Sequence, residues 1–324
     1  THVAGSDHCQ PHRAPHPWRC RRRTWPTALT LGPFHRDRSG VCPSVHSPPM
    51  RGSPANKRKR TQAERADIHD LYQRAVQEVD AEIDFVDREF SRIRKRRASL
   101  LREDFCGTAN TSCEWVRRRR GNRAVGVDLC SATLAWGVAN NLSRLRPSER
   151  ERVTLLNRNV LDPGPAGRGV DAALAMNFSY WVFRTREQLR AYFGAVRRSL
   201  VKDGLFFLDF YSGPDSLRIT RERRPLRGFT YIWDQAQYDA LTGDYVCHIH
   251  FSFPDGSRIQ NAFTYHWRLW TLPEIRELLT EAGFTRSIVY LEGDDGKGGG
   301  NGVFAPAEVG ENCPAWLAYI VAEK

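Results

Sequence analysis

Hydrophobic positions along the chain follow two alternating rhythms. From Gln62 to about Arg97 they recur at spacings near three and four, through Ile68, Leu71, Tyr72, Val76, Val79, Ile83, Val86 and Phe90, which predicts one or two helices. After Arg97 short apolar runs alternate with helical stretches: a strand over 98–103, a helix over 108–120, a strand over 123–128, a helix over 131–145, and strands over 153–160 and 170–177. A helix striped by Leu189, Tyr192, Phe193, Val196 and Leu200 leads into a fifth strand over 204–211. Strands separated by helices must cross over between neighbours, so five parallel strands are expected.

Between Gly228 and Trp270 the rhythm changes to period two. Tyr245, Cys247, Ile249, Phe251 and Phe253 face one way and Val246, His248, His250 and Ser252 the other, with Asp255-Gly256 as a hairpin turn signal. This predicts an inserted antiparallel sheet of three strands over 228–270. Thr271-Leu272-Pro273-Glu274 then reads as a capping box with proline in the first turn, and Gly283 ends the helix. Apolar runs over 287–291 and 316–322 complete an α/β, Rossmann-like, mostly parallel seven-stranded sheet with helices on both faces and an N-terminal helical extension.

The first sixty residues differ. Residues 1–50 carry six of the ten histidines and eight of the eighteen prolines without any amphipathic period, so residues 1–60 are read as a disordered, basic N-terminal segment and 61–324 as the folded domain. The only methionines are Met50 and Met176, which makes Met50 a candidate initiator. Twelve Lys or Arg against Asp7 and Asp37 give residues 1–60 a charge of +10, leaving only +2 of the total +12 for 61–324. The charge therefore does not describe a broad phosphate-binding surface on the main domain, although 51–60 remains a possible nucleic-acid arm. No stretch approaches the roughly 20 apolar residues of a membrane helix. The eight cysteines include no C-x-x-C pair, which suggests neither a zinc ribbon nor a disulfide scaffold. A soluble, cytoplasmic protein is expected.

Candidate chemistry concentrates at Leu101-Arg102-Glu103-Asp104-Phe105-Cys106-Gly107-Thr108-Ala109, where a strand runs into a tight turn and a helix. Ligands of open α/β sheets bind at such carboxyl ends, where the first helix offers free N–H groups. The dinucleotide fingerprint G-x-G-x-x-G is absent, which argues against phosphate as the guest. Asp128 closes the second strand 21 residues after Gly107, the place where a carboxylate accepts ribose hydroxyls, so a nucleoside is implied.

Glu103 to Ala109 resembles the acidic-x-G-C-G-T-G motif of class I S-adenosylmethionine-dependent methyltransferases, with Phe105 and Ala109 in place of two glycines. The inserted sheet and Arg268 to Phe284 resemble bacterial small-molecule methyltransferases, the general plan of sugar-amine and glycine N-methyltransferases. The resemblance, over about 62–324, implies S-adenosyl-L-methionine as cofactor and a small-molecule N or O acceptor, with an RNA methyltransferase using the basic N-terminal arm and a non-catalytic cofactor-binding scaffold as the alternatives. It assigns cofactor contacts to Glu103, Cys106, Gly107, Thr108 and Asp128, an adenine face to Leu129, and adenine-edge contacts to Asn159 and Val160. It also places Tyr72 over the methionine end, and Asn177-Phe178-Ser179-Tyr180 resembles the N-P-P-Y type acceptor loop without its prolines, giving Asn177 and Tyr180 acceptor-side roles. His248 and His250 share one strand face beside His266; no carboxylate spacing supports a metal, and His266 is retained as a candidate general base. The aromatic strands of the inserted sheet are expected to roof the acceptor and offer a surface for a homodimer.

Overall fold

The computed structural model describes residues 59–296 and 299–324; the predicted disorder of the N-terminal segment falls almost wholly outside the described residues. Three helices open the chain: α1 (Gln62–Arg65), α2 (Ile68–Val76) and α3 (Val79–Arg94). Each of the first two starts where an oxygen-bearing side chain satisfies free N–H groups: the Thr61 hydroxyl accepts from the Glu64 amide and the Asp67 carboxylate from His69 and Asp70. The alternating segment follows with β1 (Leu100–Asp104), α4 (Asn110–Arg118), β2 (Arg123–Asp128), α5 (Ser131–Asn140), α6 (Pro147–Arg150), β3 (Val153–Asn157), β4 (Val170–Ala175), α7 (Arg186–Ser199) and β5 (Leu200–Ser212). The inserted region is β6 (Thr220–Leu226), β7 (Phe229–Tyr238), β8 (Asp244–Ser252) and β9 (Arg258–Arg268). The chain closes with α8 (Leu272–Glu281), β10 (Arg286–Asp294), β11 (Gly300–Pro306) and β12 (Trp316–Glu323).

The main sheet runs β11-β10-β12-β5-β4-β1-β2-β3, with β1 to β5 parallel and β10 to β12 antiparallel to their neighbours. It has eight strands rather than seven because Gly300–Pro306, between the apolar runs of β10 and β12, pairs with β10 as an edge strand. The inserted sheet has four strands rather than three. The additional β6, Thr-Arg-Glu-Arg-Arg-Pro-Leu, is an exposed edge with no alternation of apolar residues to mark it. Packed apolar clusters cover both faces of the main sheet, and a third joins Leu71 and Ala75 of α2 to Phe229, Ile249 and Phe251 of the inserted sheet. That sheet packs its aromatic face on α2 and on the interior. No helix among the described residues is long and apolar enough to cross a membrane.

Strand order reverses between β1 and β4, which opens a crevice at their carboxyl ends. α2 lies over it: Gln73 Nε2 donates to Thr108 Oγ1 at 2.7 Å in the turn after β1, and Trp136 Nε1 on α5 donates to Asp67 at 2.7 Å.

Candidate functional site

Adjacent residues at the end of β1 point to opposite faces, so its two carboxylates have different company. Asp104 pairs with the Arg102 guanidinium at 2.9 Å and accepts from the Tyr192 hydroxyl at 2.9 Å, a closed internal network. Glu103 turns toward α4 and accepts from the Ser112 amide at 2.8 Å and its hydroxyl at 2.6 Å. Burial pushes the Glu103 carboxyl up to about 7, against the pull of those hydrogen bonds.

The turn that follows takes left-handed backbone at all three glycine positions of the motif, although only Gly107 is a glycine. Phe105, Gly107 and Ala109 all take left-handed dihedrals, with φ of 56°, 52° and 56°. A non-glycine residue gives up about 1–2 kcal/mol to hold that shape. Phe105 offsets the strain by packing its ring against Phe183 and Tyr192, at centroid distances of 6.1 and 5.6 Å. The turn is locked to β2 on both sides: the Cys106 amide donates to Val127 O at 3.0 Å, and the Gly107 amide to Asp128 Oδ2 at 2.8 Å. The other Asp128 oxygen accepts from the Cys130 amide at 2.8 Å. Cys106 is buried and its thiol is pushed well up by burial, so it serves as packing and not as a thiolate.

A helical glycine fixes how closely α5 approaches this turn. A Cβ on Gly137 would stand 2.5 Å from the Thr108 carbonyl oxygen, a backbone atom that cannot swing away. Gly137→Ala gains about 1 kcal/mol of helix propensity but must push α5 off the turn, and overpacking of this kind costs about 1–3 kcal/mol. A net loss of stability of roughly 1 kcal/mol, read by urea denaturation, is the expected outcome; a net gain would show that α5 is free to shift.

Beyond Asp128, Leu129 is 70% exposed, an apolar side chain standing open beside a strand-end carboxylate. Asn159 is exposed with its Oδ1 accepting from the Leu161 amide at 2.9 Å, while Val160 is buried. The segment after β4 is strained as well: Asn177 and Phe178 have φ of 57° and 54°, and both amides donate to the Asp209 carboxylate, at 2.6 and 2.9 Å. Burial pushes the Asp209 carboxyl up to about 7 despite these bonds.

Asn177 and Tyr72 line a cavity of 590 Å³ bounded by the aromatic face of the inserted sheet, with Tyr265 and Trp267 on its wall. The Tyr72 ring lies 4.9 Å from Phe263, and its hydroxyl bonds that of Tyr265. Two sequence-based expectations are corrected here. Tyr180 is fully buried and its hydroxyl donates to the Asp209 carbonyl at 2.9 Å, so it stays in the core and does not face an acceptor. His266 is exposed and alternates with Tyr265 and Trp267, which puts it on the outer face of the sheet, away from the cavity. Among the described residues no group of three metal-ligating side chains converges. Sequence reasoning missed Asp209 and the buried Glu82; an acidic residue at a strand's carboxyl end and another inside an apolar helix stripe were the available signals.

No protein-family model matches the chain, and no curated protein matches it. Solved structures do. An S-adenosylmethionine-dependent methyltransferase from Clostridium acetobutylicum is 17% identical with a TM-score of 0.57, over 78% of this chain and 96% of its own. CalS10, an amino pentose methyltransferase from Micromonospora echinaspora, is 15% identical with a TM-score of 0.56, over 83% and 99%. The sugar N-methyltransferase KedS8 from Streptoalloteichus is 18% identical with a TM-score of 0.54, over 84% and 97%. With its reversed strand order, its strand-end carboxylates and these likenesses, the chain has the fold of the class I S-adenosylmethionine-dependent methyltransferases.

Proposed function

We propose that the chain is an S-adenosylmethionine-dependent methyltransferase acting on a nitrogen or oxygen atom of a small molecule. The observation that carries this reading is the junction of two sites. Asn177 and Tyr72 line the aromatic cavity, while Gln73, the next residue of α2, bonds the turn that Asp128 holds at Gly107. The residues fit the cofactor: Asp128 stands where ribose hydroxyls are accepted, and the open side chain of Leu129 is a surface that an adenine ring would cover. Glu103, Gly107, Thr108, Asn159, Val160 and Asn177 complete the proposed contacts. Bound there, S-adenosylmethionine supplies an activated methyl group on a sulfonium.

What the chain contributes is geometry. Asp209 fixes the Asn177-Phe178 segment at the end of β4, and the aromatic walls hold an acceptor in line and keep water out, effects that supply on the order of 7–11 kcal/mol at best. Glu222, Glu292 and Asp294 also line the cavity, against Arg223 and an Arg224 whose guanidinium is committed to the Ala75 carbonyl and the Tyr231 ring. This favours an amine acceptor, in keeping with the amino pentose and sugar N-methyltransferases that share the fold. Calorimetric titration with S-adenosylmethionine and, separately, with NAD tests the proposal. Micromolar binding of the former alone, followed by S-adenosylhomocysteine release with amine acceptors, is expected; binding of neither would overturn it.

A further inference from the structure

The buried face of α3 is Glu82, Ile83, Phe85, Val86, Glu89 and Phe90, two carboxylates on an otherwise apolar stripe. They are held in opposite ways. Glu89 accepts from Arg88 at 2.9 Å, from Arg92 at 2.6 Å and from the Tyr290 hydroxyl at 2.9 Å, so its oxygens are satisfied. Glu82 is 8% exposed, and its Oε2 has no hydrogen-bond partner. The one hydroxyl that serves it is that of Thr111, which Glu103 also uses.

The charged groups that act on Glu82 are Asp209 of β5, Glu103 of β1 and Glu78 preceding its own helix, all carboxylates. Tyr72 of α2 and Tyr319 of β12 also lie within its field. A side chain there for packing alone would be apolar, and a structural carboxylate would be paired as Glu89 is. A buried carboxyl with a bare oxygen, close to the carboxyls of Glu103 and Asp209, is a place where a ligand's cation would be stabilised.

We infer that Glu82 receives a positive charge of the bound cofactor, its ammonium or its sulfonium, between Glu103 and Asp209. The inference rests on the methyltransferase reading and adds to it a residue outside the turn, one that lies on a helix before the first strand. Burial and like charges push the Glu82 carboxyl up to about 8, beside Glu103 and Asp209 at about 7, so the empty site keeps protons that an arriving cation expels.

The test is calorimetric titration of the full chain and of Glu82→Gln with S-adenosylmethionine and with S-adenosylhomocysteine, from pH 6 to 7.5, in two buffers of different ionisation enthalpy. At pH 7.5 the variant is expected to bind S-adenosylmethionine at least about tenfold more weakly and to release fewer protons. An equal loss for both ligands assigns the ammonium, and a loss confined to S-adenosylmethionine assigns the sulfonium. Binding by the variant within twofold of the wild type for both ligands overturns the inference. Failure of the wild-type chain to bind either ligand overturns the methyltransferase reading itself. Should Glu82→Gln not fold, the wild type carries the test: its affinity for S-adenosylmethionine rises with pH over this range, and a flat affinity refutes the assignment.

Discussion

Replacing Asp128 by alanine is expected to weaken S-adenosylmethionine binding about ten- to a hundredfold, the 1–3 kcal/mol lost when a buried polar group loses its partner. Two effects combine in that figure. The ribose hydroxyls lose their acceptor, and the Gly107 and Cys130 amides lose the carboxylate that now holds them at 2.8 Å. The second effect shapes the turn whether or not a ligand is present, so the melting temperature of the unliganded variant separates the two. Asp128→Asn retains one acceptor oxygen and should fall between wild type and alanine. An alanine variant whose affinity stays within twofold of wild type would remove Asp128 from the site.

The position of Asp128 follows from chain order alone: a carboxylate ending the second strand stands beside the carboxyl end of β1, where it accepts from the Gly107 amide. The parallel core was legible because β2, β4 and β5 carry buried apolar runs whose burial leaves little choice of partner. The edges were not. β6 carries Arg221, Glu222, Arg223 and Arg224, and β11 opens Gly-Asn-Gly, so neither shows the alternation that burial imposes.

The site divides along the same line. Tyr180 is read from its place in a motif and His266 from its strand's nearness to His248 and His250, but whether a side chain faces a cavity or the core depends on one residue of register. The 3₁₀ turn Ser179–Val182 turns Tyr180 inward, and the pleat of β9 turns His266 outward. Phe105, in place of a motif glycine, adopts φ of 56° and packs its ring against Tyr192. Backbone shape, rather than the glycine itself, is what the turn keeps.

Asp209→Ala should have the broadest consequence, because one carboxylate holds two consecutive left-handed residues. Asn177 and Phe178 each carry about 1–2 kcal/mol of backbone strain, and their anchors are the two amide bonds to Asp209. Without the carboxylate the segment relaxes, two part-buried amides lose their acceptor, and stability falls by about 2–4 kcal/mol. Turnover should drop by two orders of magnitude or more, since a displacement of about 1 Å at the cavity floor misaligns the acceptor.

The pH dependence checks the same residue independently. Asp209 and Glu103 are raised to about 7 and Glu82 to about 8, so the native state holds protons that the unfolded chain has already released. Stability of the unliganded protein therefore falls as pH rises toward about 8. Over the window from about 6.5 to 8 the raised carboxyls, the buried Asp104 among them, govern the slope, because the lowered carboxyls Asp171 and Asp234 act near or below pH 4, and the lowered His69 and His248 act below 6.5. Differential scanning calorimetry across that window should show a declining melting temperature in the wild type and a shallower decline in Asp209→Asn, which carries no charge to bury. A melting temperature that rises with pH, or an unchanged slope in the variant, would mean that these carboxyls are already ionised in the native state.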